Sequence, residues 1–116
     1  MKILLTGGAG FIGSHLTARL LQAGHSVVCV DNLDTYYDPQ RKRQNVRPFL
    51  YDPNYLFLEG DIRDRTLLDA IFRIYGCDAV VHLAARAGVR PSVQNPALYF
   101  DVNVHGTLTI LDAMRD

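Results

Sequence analysis

Three glycines at Gly7, Gly10 and Gly13 follow directly on the apolar run 3–5, and an amphipathic segment begins beside the third. The order reads as a strand, a tight turn and a helix N-terminus. That arrangement suits the docking of a phosphate. A glycine at the end of a strand lets the chain turn where a β-carbon would clash. A second glycine lets the backbone approach a pyrophosphate, and a third lets the new helix pack closely on its strand. Free N–H groups and the positive dipole end of the helix would face the anion. The spacing is G-x-x-G-x-x-G. A Gly-rich turn alone is weak evidence, so the reading depends on its surroundings.

A second apolar run, 26–30, ends at Asp31. An acid at the end of a second strand, about twenty residues past the glycines, can accept hydrogen bonds from the hydroxyls of an adenosine ribose. Its charge would repel a 2′-phosphate, which favours NAD over NADP. The plainer reading of Asp31 is a solvated acid closing a strand.

Four strands are needed to position these groups. The first two are the runs just named, with Ile12, Leu16 and Leu20 expected on the core face of the helix between them and Gly24 as its stop. A polar, turn-rich stretch at 34–39 precedes a short helix at 40–47, broken by Pro48. Residues 55–59 read as a third strand. Asp64 is a candidate N-cap for a helix carrying Leu67, Leu68, Ile71, Phe72 and Ile74, ended by Gly76. Residues 79–83 read as a fourth strand. Asn95 and Pro96 open a last helix, with Val104, Leu108 and Leu111 as its apolar stripe. Alternation of strand and helix predicts an α/β, Rossmann-type doubly wound parallel sheet with helices on both faces. Right-handed crossovers give the strand order 3-2-1-4. Residues 7–13 and 83–90 should then flank one crevice at the switch point.

Composition narrows the partners. The chain has 116 residues, the length of one small domain. Its formal charge is zero, which argues against nucleic acid. The one basic cluster, Arg41-Lys42-Arg43, reads as a solvated helix face. No stretch is long enough to span a bilayer and no leader precedes the first strand. Cys29 and Cys77 read as small apolar residues of a reducing, cytoplasmic compartment. The four histidines show no metal-ligand spacing, so no metal is expected.

Residues 6–16, Asp31-Asn32-Leu33, Gly60-Asp61-Ile62-Arg63-Asp64 and His82-Leu83-Ala84-Ala85 occur in an order that resembles the extended short-chain dehydrogenase/reductase family. Nucleotide-sugar epimerases and dehydratases belong to it. The segment 87–96, with Tyr36-Tyr37-Asp38, is most similar to its UDP-glucuronate 4-epimerase branch. The resemblance implies that Gly7, Gly10, Phe11, Ile12 and Gly13 form the pyrophosphate site of NAD. It implies that Asp31 and Asn32 bind the adenosine ribose, that Asp61 and Ile62 flank the adenine, and that Leu83, Ala84 and Ala85 line the nicotinamide side. It places Asn103 near cofactor or substrate phosphates, and Arg90 and Ser92 at a UDP-sugar, where a guanidinium suits a uronate carboxylate. Plainer readings stand beside these: a surface ion pair for Arg90, a packing amide for Asn103, a loop cap for Asp61, and core packing for 83–85.

The same resemblance implies a Tyr-x-x-x-Lys pair in which tyrosine works as acid and base and lysine lowers its pKa. Lys2 and Lys42 are the only lysines, and neither has a tyrosine four positions before it. Residues 1–116 are therefore expected to be the N-terminal portion of an NAD-binding domain without the catalytic segment or substrate domain. No catalytic residue is assigned, and the chain alone is expected to be inactive. An unpaired fourth strand suggests self-association or a homodimer. Three functions compete: part of a nucleotide-sugar epimerase; part of a 4,6-dehydratase or related reductase; and a non-catalytic NAD-binding module.

Overall fold

The computed structural model describes residues 1–34 and 38–116. Tyr36 and Tyr37, named above with the 87–96 segment, lie outside the described residues. The elements are β1 (Lys2–Thr6), α1 (Phe11–Gln22), β2 (Ser26–Asp31), α2 (Pro39–Val46), a 3₁₀ turn (Arg47–Phe49), β3 (Tyr55–Glu59), α3 (Arg65–Tyr75), β4 (Ala79–His82), α4 (Val89–Gln94), α5 (Pro96–Phe100), a π-helical turn (Asp101–His105) and α6 (Gly106–Arg115). The four strands form one parallel sheet in the order β3-β2-β1-β4. The strand order matches the sequence expectation. Residues 89–94, read above only as a motif, are helical.

Side chains alternate across the sheet, as the two-residue period of a strand requires. On one face Leu5, Val27, Cys29 and Tyr55 pack under Leu16, Leu20 and Leu21 of α1. On the other, Leu4, Val28 and Val30 meet Leu68 and Ile71 of α3 and Ile110 and Ala113 of α6. Fully burying a side chain such as Leu68 contributes about 1.5–3 kcal/mol. Burial pushes the Cys29 thiol up to about 12, so it behaves as a small apolar group.

The caps follow the sequence. The Asp64 carboxylate accepts from Leu67 N at 3.1 Å, and Gly76 ends α3 at φ +60°. The Asn95 side chain accepts from Leu98 N at 3.3 Å, with Pro96 at the first helical position.

Leu16 and Leu20 face the core as expected, while Ile12 and the stripe of the last helix are corrected. Ile12 is 68% exposed and lies at the cleft described below, while α1 buries Gly13, Ser14 and Thr17. Val104, Leu108 and Leu111 are about half exposed, and the chain instead buries Val102, Gly106, Ile110 and Ala113. Both stripes have helical spacing, so periodicity alone cannot choose between them. Close approach favours the observed face: a Cβ on Gly106 would lie 2.6 Å from Ile62 Cδ1, in the turn between β3 and α3, so the bare glycine lets the helix sit against that turn.

Candidate functional site

A cleft of about 730 Å³ opens where β1 and β4 diverge at their C-terminal ends. This is the switch point of the sheet, the usual ligand position in open α/β folds. Its first wall is the turn from β1 to α1. Gly7 takes φ +72°, and a Cβ there would stand 2.7 Å from Ala84 N. A Cβ on Gly13 would stand 2.4 Å from Gly7 O and 2.6 Å from Gly8 Cα. These two glycines are demanded by the fold itself. Gly10 differs: a Cβ there would meet nothing nearer than Gly7 O at 3.4 Å, an ordinary contact. Gly10 lines the cleft and is the N-cap of α1, which has no side-chain cap. The helix therefore presents its first N–H groups to the cleft, where an anion would complete them. Phe11, Ile12 and Gly13 line the same end. Gly8 plays a part that the spacing concealed, since a Cβ on it would lie 2.4 Å from Cys29 Sγ.

Asp31 closes one end of the cleft and is buried. One carboxylate oxygen accepts from Ala9 N at 3.1 Å, and the other accepts from Leu33 N at 2.8 Å. Lys42 Nζ stands 3.8 Å from the second oxygen. Asn45 Nδ2 donates to Ala9 O at 2.9 Å, so Ala9 is held from both sides. The acid is thus fixed to the glycine turn. Leu33 pays a local strain for this turn, at φ +55°. Asn32 also lines the cleft. The basic cluster is not simply a solvated face: Arg41 and Lys42 line the cleft, and Arg43 pairs with Glu59 at 2.9 Å. α2 follows the turn after Asp31 and directs one side toward it, which no charge count could show.

Asp61 and Ile62 line the floor. Arg63 grips Asp61 as a fork, Nε to Oδ1 at 2.9 Å and Nη2 to Oδ2 at 2.7 Å, and its backbone N adds a third bond at 2.8 Å. These bonds hold the Asp61 carboxyl below the usual carboxylate range. The other arm of Arg63 reaches Asp101 at 2.8 Å. Ile62 is buried against Gly106.

The second wall is the loop after β4, with Leu83, Ala84, Ala85, Arg86 and Ala87 on the cleft. Side chains hold it. Thr6 Oγ1 accepts from Leu83 N at 3.1 Å and from Ala84 N at 3.2 Å. His82 bridges Thr6 at 2.6 Å and Thr107 at 3.0 Å. Asn103 binds both backbone groups of Arg86, accepting from its N at 2.8 Å and donating to its O at 3.1 Å. Asn103 is not among the residues lining the cleft; it stands behind the wall. The Arg86 guanidinium pairs with Asp34 on the β2 side and lies 5.3 Å from the Tyr99 ring centroid. Its Nε is buried and has no hydrogen-bond partner among the described residues.

Arg90 and Ser92 sit on α4, outside the residues that line the cleft. Arg90 is exposed, and Ser92 Oγ donates to Val89 O. The sequence reading missed Thr6, His82, Lys42, Arg86 and Asp34. A signal existed for two of them: Thr6 and His82 are polar residues ending apolar strands, and they are register partners.

Comparison with known proteins places this geometry. The sequence model of a family described as GDP-mannose 4,6 dehydratase matches residues 4–116. A UDP-glucuronate 4-epimerase of Thermodesulfobacterium geofontis is 44% identical over 113 residues, covering 97% of this chain and 35% of that protein. The crystal structure of a UDP-glucose 4-epimerase from Stenotrophomonas maltophila, with bound NAD and formylated UDP-arabinopyranose, superposes with TM-score 0.84 at 40% identity, covering 99% of this chain and 33% of that one. A dTDP-glucose 4,6-dehydratase from Streptomyces venezuelae, also with NAD, gives TM-score 0.83 at 40% identity, with 97% and 35% coverage. This chain spans about a third of the length of these relatives.

Proposed function

The chain belongs to the GDP-mannose 4,6 dehydratase family, and from that membership we propose that it is the NAD-binding portion of a nucleotide-sugar epimerase acting on UDP-glucuronate. Gly10 carries the cofactor reading: the fold has room for a side chain there, yet the position that lines the cleft is bare. A ligand backbone-close to Gly10 accounts for that, and a pyrophosphate at the start of α1 is the group that suits it.

In this reading Gly7, Gly10, Phe11, Ile12 and Gly13 hold the pyrophosphate. Asp31 and Asn32 take the adenosine ribose, and Asp61 and Ile62 flank the adenine. Leu83, Ala84 and Ala85 offer an apolar, water-excluding surface to the nicotinamide. Bound NAD supplies a reversible hydride acceptor for C4 of a sugar. The residues described do the positioning: Asp31, held by two backbone N–H groups, needs no rearrangement to accept from ribose hydroxyls. Asn103 serves the site through the Arg86 backbone. Arg90 and Ser92 are assigned to the sugar, with Arg90 as the cation for a uronate carboxylate.

We assign the acid–base chemistry to a part of the enzyme other than these 116 residues, and the site to the cytoplasm. No helix among the described residues is long and apolar enough to cross a membrane. A 4,6-dehydratase is the second reading, favoured by the family description and by the Streptomyces structure. Calorimetric titration of the chain with NAD and NADP tests the cofactor assignment. NAD should bind more tightly, and a folded sample that binds neither would overturn it. Assay of the full-length enzyme with UDP-glucuronate, UDP-glucose and dTDP-glucose separates the epimerase and dehydratase readings.

A further inference from the structure

The hydrogen bonds around His82 have only one self-consistent direction. Thr107 Oγ1 donates to Asn103 O at 2.6 Å, so toward His82 it must accept, and Nε2 carries the proton. Nδ1 is then an acceptor, and the Thr6 hydroxyl donates to it at 2.6 Å. With its hydrogen spent on His82, Thr6 has both oxygen lone pairs left. Ala84 N takes one, and Leu83 N shares the other with the Thr6 carbonyl oxygen, which it also meets at 3.1 Å. The chain of bonds runs from the π-helical turn through the strand ends to the cleft wall.

We propose that His82 is a positioning residue: its neutral, Nε2-protonated ring aims the Thr6 hydroxyl so that Thr6 anchors the two N–H groups at the start of the cleft wall. The anchored segment has little freedom to move. Ala84 N and Leu83 C are the atoms that a Cβ on Gly7 would strike, so the glycine turn and the wall touch here. A wall that loosens therefore changes the width of the crevice at its narrowest point.

A second proton on the ring breaks the count. Nδ1 becomes a donor and claims a lone pair of Thr6. Leu83 N falls back on the Thr6 carbonyl, while the Thr6 hydrogen loses its acceptor and the hydroxyl turns from Ala84 N. Burial disfavours the charged ring, so this happens below the usual histidine value of 6.5. Among the described residues, the charged groups of the surrounding elements are engaged elsewhere. Lys2 is at the opposite end of β1, Asp101 is held by Arg63 and His105, Asp112 pairs with Arg115, and Arg86 pairs with Asp34. Both partners of the ring are neutral hydroxyls.

The proposal rests on the cofactor reading only for its consequence, so its test reads the wall directly. Ring ¹⁵N shifts of His82 and amide-exchange protection of Leu83 and Ala84 are followed from about pH 7.5 to about pH 5. The Nε2–H tautomer should dominate at neutral pH. Protection of Ala84 N should fall about tenfold in step with the ring titration, while Leu83 N, held also by the Thr6 carbonyl, falls less and Ile71 in α3 keeps its protection. His82→Gln offers an amide oxygen and an N–H in the same order without titrating, and should keep protection high and flat. Thr6→Val should lower it at every pH, and covers the case in which His82→Gln does not fold. A wild-type Nδ1–H tautomer, or protection that ignores the ring titration, would overturn the proposal. So would a His82→Gln profile that still falls with acid. NAD titration over the same range should show affinity falling with wall protection. Absence of NAD binding at every pH would count against the cofactor reading and leave the wall result standing.

Discussion

The two walls of the cleft meet where Gly7 packs against Leu83 and Ala84, and they are held by different physics. The β1–α1 wall is fixed by backbone packing: Gly7 and Gly13 are places where no side chain fits. The β4 wall is fixed by side-chain hydrogen bonds from Thr6, His82 and Asn103. The first arrangement is all-or-none, with the Asp31 carboxylate tied into it through Ala9 N. The second can be loosened one bond at a time and senses acid. In the proposed NAD assignment, the phosphates would meet the rigid wall and the nicotinamide the adjustable one.

Substitutions should separate the two. The largest effect belongs to Gly13→Ala. Its Cβ would meet backbone atoms at 2.4 and 2.6 Å that cannot swing aside. A loss of about 3 kcal/mol in denaturant unfolding is expected. Normal stability would mean that the first wall is not set by packing. Next comes Asn103→Ala, which strips the partners from both backbone groups of Arg86. It should cost about 1–3 kcal/mol. A loss confined to NAD binding, with stability untouched, would make Asn103 a ligand contact instead of a clamp.

Acid should act on the second wall and on the floor. Folding lowers the His82 value, so the unfolded chain takes up the proton first. Its contribution is full above the ordinary value of 6.5 and declines as pH falls through the lowered one. Arg63 lowers Asp61 in the same sense, so that contribution is present above the ordinary carboxylate value and is lost at still lower pH. Melting temperature should therefore drop in two steps on acidification, and His82→Gln should remove the upper one. The smallest stability effect belongs to Gly10→Ala, under about 0.5 kcal/mol, because its Cβ has room. Its NAD affinity should nonetheless fall at least about tenfold, since the Cβ occupies ligand space. A Gly10→Ala chain that binds NAD normally would remove the main support for the proposed site.

Both walls were located from the sequence, but only the fastening of the first was legible there; the bonds that hold the second were not. Glycine spacing reports backbone constraints within a dozen residues, so strand, turn and helix could be inferred locally, while the order β3-β2-β1-β4 followed from crossover handedness. Asp31 was legible because it ends a strand at a known interval. Hydrogen bonds such as Thr6 to His82 or Asn103 to Arg86 join residues whose proximity exists only after the sheet forms. Lys42 illustrates the limit: it reads as one of three solvated cations, yet α2 brings it to Asp31. The rotation of α6 was hidden differently. That helix carries two apolar stripes, and Gly106 rather than hydropathy favours the one that is buried.

The π-helical turn at Asp101–His105, closed by a bond from Gly106 N to Asp101 O, makes chain length itself a constraint. Deleting one residue there would convert the turn to a regular helical one and shift the residues inside it by one position, about 100° around the axis, against their neighbours. Asn103 would leave Arg86, and Asp101 would leave Arg63. Most helices facing solvent absorb changes of letter more easily than changes of count, and here the asymmetry is extreme. The turn works as a spacer whose residue number keeps two distant loops in phase.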